Sequence, residues 1–345
     1  MDYKEIDALI ECLDKDALDG AKQKWDQAAK PVGSLGMLEG LITKICGIQR
    51  SVVPDISKRC VVVSCADNGV TKQGITMTDS SVTAIMTSYI AKKRSSVGSM
   101  AKKCDTDVIT CDCGMFAKLD DKSILDHRAG YGTADMSIGP AMTKDQADTL
   151  INRAITLVAR LRRDGYKLIA TGEMGIGNTA TTSAVTAALL GVDPELTTGP
   201  GVGLSDKGLK RKVAVIKKAI TVNAPDKDDP LDVLCKVGGF DIVHMTGLYL
   251  GAALNRIPIV IDGVISAAAA LCAYRLCPKS LDYMLPSHIS AEPAFRLIMD
   301  ELGLSPVLDA EMRLGEGTGA VCLIPLLDMA LSVYTDTITY SDLGY

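Results

Sequence analysis

Two periodicities run along this 345-residue chain. Over residues 2–19, Ile6, Leu9, Ile10 and Leu13 recur at helical spacing and predict a single helix. A turn punctuated by Pro31, Gly33 and Gly36 follows, then a second helix through Leu38, Leu41, Ile42 and Ile45. This strandless N-terminal part is expected to pack as a cap or small helical unit. The run Cys60-Val-Val-Val-Ser-Cys65 has the pattern of a strand buried on both faces, and it ends in the polar Ala66-Asp-Asn-Gly69. Asp79 is placed to cap a helix through Val82, Ile85, Met86 and Ile90. Residues 107–110 read as a second strand. Residues 120–142 show little periodicity and are expected to form a long surface loop, with no chemistry assigned to His127. An amphipathic helix spans 144–164.

The stretch 167–190 is the most informative. Residues 167–171 read as a buried strand, Gly172-Glu-Met-Gly-Ile-Gly-Asn-Thr179 as a glycine-rich turn, and 179–190 as an Ala- and Leu-rich helix. Strand, glycine loop and helix in that order make an anion site, because free N–H groups at the helix start point into the loop. The plainer reading is a turn that only closes a strand onto a helix. No Lys follows the last glycine, so this is not a P-loop, and the glycine spacing is not that of the dinucleotide fingerprint. Glu173 is the odd residue, since a carboxylate beside a phosphate is unfavourable unless it binds a hydroxyl or a cationic ring.

Further on, Gly199-Pro-Gly-Val-Gly203 is a second glycine cluster. The helix predicted over 206–221 carries Lys207, Lys210, Arg211 and Lys212, either as a solvated face or with one of them reaching a phosphate. Helices are expected through Cys235 and over 241–255, 265–276 and 290–302, and strands over 257–261 and 282–285. Arg313-Leu-Gly-Glu-Gly-Thr-Gly319 is a third glycine turn before a last apolar helix ending near Tyr334. Strands alternating with helices through short turns predict an α/β fold, a largely parallel sheet flanked by helices. Three glycine loops converging at one end of such a sheet would wrap a phosphorylated small molecule.

Composition narrows the partners. Aromatics are 4% of the chain and the net charge is -5, which argues against nucleic-acid binding. The chain shows no signal-peptide pattern, and its most apolar run, 264–272, is too short to span a bilayer. Eleven scattered cysteines are then expected to be reduced thiols in a cytoplasmic protein. Cys111 and Cys113 lack the spacing of a zinc site, and the three histidines are far apart in sequence, so no metal and no cofactor are expected.

Read together, the motifs are specific. Lys30-Pro-Val-Gly-Ser-Leu-Gly-Met-Leu-Glu39, Ala66-Asp-Asn-Gly-Val70, the 172–179 loop, Val237-Gly-Gly-Phe-Asp-Ile242, Asp262-Gly-Val-Ile-Ser266, Ser287-His-Ile-Ser-Ala-Glu292 and Gly315-Glu-Gly-Thr-Gly319 occur in this order. In these the chain resembles nicotinate-nucleotide–dimethylbenzimidazole phosphoribosyltransferases over about residues 30–331. The resemblance implies a Rossmann-like sheet domain (59–312) and a small helical domain from both termini (1–58 and 313–345). It implies a dimer that exchanges the nicotinate of nicotinate mononucleotide for another base, giving an α-riboside 5′-phosphate for the cobamide nucleotide loop.

The family's general base falls on Glu316, and Glu173 would face the positive charge developing on the ribose. A Glu that only caps the last helix is the alternative for Glu316. The phosphate would lie on the backbone of Gly175, Ile176, Gly177, Asn178 and Thr179 and of Gly201 and Gly203, with Lys212 as a cation. Thr76, Ile85 and Met86, and Ser290, Ala291 and Gly315, complete the expected substrate contacts. Nicotinate leaves from a pyridinium and needs no acid, whereas the acceptor must lose a proton. A carboxylate serves as that base if burial lifts its pKa from ~4.3 toward ~6–7.

The departures bear on the acceptor. Where the family has Asp-His-Gly, this chain has Asp67-Asn68-Gly69, and Ile85 replaces a Gln. Ile289, Ala294 and Phe295 replace Arg, Gly and His. Losing the Gln removes a polar partner for a benzimidazole nitrogen and suggests a phenolic acceptor such as phenol or p-cresol, used by family members built of two unlike subunits. A non-catalytic partner subunit is a rival reading, opposed by the intact Glu316 loop. A dehydrogenase is another, opposed by the glycine spacing.

Overall fold

The computed structural model describes residues 2–201 and 203–344. Its sheet contains β1 (Arg59–Ala66), β2 (Asp107–Gly114), β3 (Ile124–Asp126), β4 (Leu168–Met174), β5 (Ile259–Ile261) and β6 (Met284–Pro286). The strands are all parallel, in the order β3-β2-β1-β4-β5-β6. The chain therefore winds outward from β1 to β3, then returns to start again at β4. Loops leaving β1 and β4 part in opposite directions, and the gap between them at the C-terminal edge is where such sheets bind ligands.

The helices are α1 (Tyr3–Leu9), α2 (Lys15–Gln27), α3 (Met37–Gln49), α4 (Ser81–Ala91), α5 (Ser96–Lys103), α6 (Lys144–Arg163) and α7 (Asn178–Leu190). After them come α8 (Pro194–Thr197), α9 (Asp206–Asn223), α10 (Pro230–Val237), α11 (Phe240–Leu254), α12 (Val264–Leu276), α13 (Ala294–Leu302) and α14 (Thr318–Asp336). Every position of β1 is buried, as its apolar run requires. Alternation then splits the core. Cys60 and Val62 pack with α6, α7, α11 and α12 on one face, while Val61, Val63 and Cys65 pack with α2, α3 and α14 on the other. α14 is long and apolar enough to cross a bilayer, but half of that stretch is buried inside the fold.

Several sequence expectations change. Residues 2–19 form two helices. Asp14 Oδ1 accepts the Ala17 N–H at 2.8 Å and starts α2 afresh, so α1 packs on one side of the sheet and α2 on the other. Residues 120–142 are no simple surface loop. They hold edge strand β3 and bury Met136, Ala141 and Met142, and the Ala141 and Met142 amides donate to the Lys236 and Cys235 carbonyls at 3.1 and 2.9 Å. Gly172, Glu173 and Met174 continue β4 instead of opening the turn, which puts Glu173 at a strand end. The predicted helix at 290 begins only at Ala294, because Ile289 N bonds Leu308 O at 2.8 Å in an extended segment. Two of the three histidines, far apart in sequence, meet in space: His127 Nδ1 lies 2.8 Å from His244 Nε2.

Candidate active site

A cavity of about 340 Å³ opens at the C-terminal edge of β4 and β5. Glu173, Met174, Gly175 and Ile176 form its floor, Asn178 and Thr179 bring the start of α7, and Gly315 and Glu316 close one side. Val82 and Met86 of α4 add an apolar wall, and Asp262, His288, Ser290 and Glu292 a polar one.

Glu316 is held in an unusual backbone. Gly315, Glu316 and Gly317 have successive φ values of +90°, +61° and +94°. Left-handed backbone costs a non-glycine residue about 1–2 kcal/mol, so the surroundings must impose it. Asp262, just past β5, does so by accepting N–H groups from Gly317 at 3.2 Å and Ala320 at 2.9 Å. Gly172 has no room for a methyl group, which would strike the Glu316 carbonyl. The Glu316 carboxylate is 7% exposed and accepts the Val97 N–H at 3.0 Å, at the first turn of α5.

Glu173 sits opposite. Asn178 Nδ2 donates a short hydrogen bond to Glu173 Oε2 and lies 3.0 Å from Asp241 Oδ2, so one amide bridges two buried carboxyls. Burial, and then the charge of Asp241, push Glu173 up to about 8, while burial pushes Asp241 up to about 6. At neutral pH Glu173 therefore keeps its proton, and a neighbouring cation would release it. Asn68 ties the end of β1 to the same loop by donating to the Ile176 carbonyl at 3.3 Å.

A smaller recess of about 60 Å³ adjoins the cavity, lined by Thr76, Gly175, Gly177, Thr179, Gly201 and Lys212 among others. No side chain of its own N-cap, Gly177, closes the α7 N-terminus. Lys212 is not part of a solvated face. It is 1% exposed, with Nζ 2.9 Å from Thr179 Oγ1 and 3.1 Å from Gly199 O, and burial lowers it to about 8 against the opposing pull of Glu292.

Most of the sequence-nominated residues thus converge, but not all. Ile85 is 53% exposed and does not line the cavity, whereas Met86, one position on, does. Gly203 and Ala291 are exposed and line neither space. Residues not nominated also enter. Asp241 braces Asn178, Asp262 pins the Glu316 loop, and Glu292 accepts the Gly201 N–H at 3.0 Å. Val97 contributes only a backbone amide, for which sequence carries no signal.

A family model described as "Phosphoribosyltransferase" matches residues 10–344. The chain belongs to this phosphoribosyltransferase family. It is 44% identical over 330 residues to the nicotinate-nucleotide–dimethylbenzimidazole phosphoribosyltransferase of Acetivibrio thermocellus, covering 96% of this chain and 94% of that protein. To the protein of the same name from Ruminiclostridium cellulolyticum it is 40% identical over 342 residues, covering 99% and 97%. The crystal structure of CobT from Thermus thermophilus superimposes with a TM-score of 0.91 at 34% identity, covering 95% of this chain and 98% of that one. This phosphoribosyltransferase therefore shares the fold of that structure across nearly its whole length.

Proposed function

We propose that the chain transfers phosphoribose from nicotinate mononucleotide to 5,6-dimethylbenzimidazole, releasing nicotinate and forming the α-riboside 5′-phosphate of a cobamide nucleotide loop. The observation that carries this is the strained Glu316, a buried carboxylate that lines the cavity together with Glu173. The phosphate takes the recess over the α7 N-terminus, where the free N–H groups and Lys212 neutralise it. The acceptor ring lies against Val82 and Met86. Its nitrogen lone pair attacks the anomeric carbon from the face opposite nicotinate, and the C–N bond to nicotinate breaks with its electron pair neutralising the pyridinium. The N–H proton of the acceptor passes to Glu316. Glu173, protonated in the free enzyme, gives its proton to solvent as the cationic pyridinium binds, and its carboxylate then faces the charge that develops on the ribose.

A phenol would offer the same proton to Glu316. Ile85 lies off the cavity, however, which removes the local reason to prefer one. A non-catalytic subunit is disfavoured because Glu316, though it also accepts the Val97 N–H, lines the cavity in a strained backbone beside Glu173. We read residues 1–58 and 313–345 as one helical unit around 59–312. Supporting this, Trp25 and Tyr334 pack with centroids 4.8 Å apart and Ala29 N donates to Ile338 O at 2.8 Å. We take the working unit to be a homodimer, supported by Met77, Ile85 and Tyr89 lying exposed beside the cavity. Light scattering of the purified chain tests this.

Competition tests the acceptor. The purified chain receives nicotinate mononucleotide with dimethylbenzimidazole and p-cresol together, and products are identified by mass. A benzimidazole riboside phosphate as main product is expected. A cresol riboside phosphate overturns the acceptor, and activity appearing only with a second, related subunit overturns the homodimer.

A further inference from the structure

A second cluster of reactive side chains lies away from the cavity, between β2 and the α6–α11 layer. Cys111 on β2, His127 just past β3 and His244 on α11 bring one sulfur and two ring nitrogens within 4.8 Å of one another. Cys111 and His244 are fully buried, and His127 is partly exposed. The two rings hydrogen-bond at 2.8 Å, and the far nitrogen of His244, Nδ1, lies 2.8 Å from Ser64 Oγ. Two imidazoles and a thiol, away from the cavity, serve no step of the transfer reaction. They are the donor set of a soft metal ion.

We propose that Cys111, His127 and His244 form a three-coordinate site for Cu(I). Three features favour it. The first is the donor set, since thiolate is a ligand of Cu(I) and of Zn²⁺ and imidazole suits both, so the choice between them falls to the two features that follow. The second is the support behind the ligands. With Ser64 Oγ accepting from His244 Nδ1–H, the Nε2 lone pair points into the cluster, and the hydroxyl needs only to turn from donor to acceptor.

The third is charge. Binding expels the Cys111 proton to solvent, so thiolate plus Cu(I) is neutral. Arg153 and Arg160 flank the cluster, partly offset by Asp112 and Asp126. A divalent ion at the same ligands would leave a net positive charge among those arginines. A cavity of about 340 Å³ lined by Asp126, His127, Arg153 and Arg160 reaches the cluster from the surface. Its basic rim suits delivery of Cu(I) as an anionic complex. On loading, the two rings must part from hydrogen-bond contact to the spacing of two ligands on one ion.

The test uses the reduced full-length chain and Cu(I) held by bicinchoninate, an anionic chelator whose coloured complex reports transfer. Wild type is expected to take one more equivalent than Cys111→Ser, and X-ray absorption is expected to show one sulfur and two nitrogen neighbours. His127→Gln, at the rim, should lose that equivalent while keeping its circular dichroism and its transferase rate. Ser64→Ala should weaken binding by about tenfold or more, which copper on scattered surface thiols would not do. Equal uptake by wild type and His127→Gln, all-sulfur coordination, or tighter retention of Zn²⁺ than Cu(I) at these ligands overturns the proposal.

Discussion

The loops before α7 and α14 are built on one plan and put to different uses. Gly175-Ile-Gly177 and Gly315-Glu-Gly317 each precede a helix, each ends in a left-handed glycine (φ +90° and +94°), and each closes with an N–H···O bond from helix start to first glycine, at 3.1 and 3.0 Å. At α14, Asp262 occupies the N-terminal amides. At α7 no carboxylate among the described residues does, and Lys212 stands beside the opening. The first helix end is thus left open, and under the proposed function it takes the substrate phosphate, while the second already holds its anion from within the chain. The middle residues differ likewise: Ile176 has ordinary backbone, whereas Glu316 is forced into the left-handed region. Position 316 carries a strained carboxylate, the proposed base, and position 176 an apolar residue in ordinary backbone.

The largest expected effect follows directly. Glu316→Gln keeps the shape and removes the base, so kcat should fall by roughly 10²–10⁴-fold with little change in KM for nicotinate mononucleotide. Ile176→Val should change kcat less than about twofold. Comparable losses at the two positions in steady-state assays would erase the distinction.

Next is the cation of the open helix end. Lys212→Met fills the same buried space without charge, and KM for the mononucleotide should rise by about tenfold or more, the size of one charge-assisted contact, with kcat far less affected. A kcat loss at constant KM would take Lys212 out of phosphate binding.

Backbone geometry comes third. Gly315→Ala puts a methyl group 2.5 Å from Glu173 Oε1 at φ +90°. Thermal unfolding should show a loss of about 1–3 kcal/mol, whereas Gly191→Ala, also left-handed but with open space around it, should lose less.

The remaining test concerns pH dependence. Below about 4.5 Glu173 is protonated in folded and unfolded chains alike; between there and about 8 only the folded chain holds the proton. Stability contributed by that proton is therefore complete at low pH and lost as pH rises through about 8, and Asp241, raised to about 6, has the same sign. Glu173→Gln should flatten the fall in unfolding free energy across this window. An unchanged slope in denaturant titrations would mean that Glu173 is ionised in the folded chain.

Local pattern determined a good deal by itself. Strand β1 was legible because a run of Val between two Cys suits only a strand covered on both faces, and α6 because its apolar stripe repeats at helical period. The glycine loops were legible because few other sequences turn a strand into a helix so tightly, and Glu173 and Glu316 stood out as charges within them. The break between α1 and α2 was not legible, since Ile10 and Leu13 keep the helical period across it and only packing on opposite sides of the sheet shows the interruption.

Tertiary structure alone decided the rest, because each remaining feature depends on neighbours distant in sequence. Lys212 sits in a run of bases that reads as solvated, and the fold buries it against Thr179 and Gly199. Ile85 and Met86 are adjacent in sequence, but helical rotation sends one outward and one to the cavity. Asp262 acts on a loop 55 residues away, and His127 meets His244 across 117. Periodicity reports which face of an element is covered. Which partner covers it, and therefore which carboxyl holds its proton and which glycine loop stays open to a ligand, is set by the winding of the sheet.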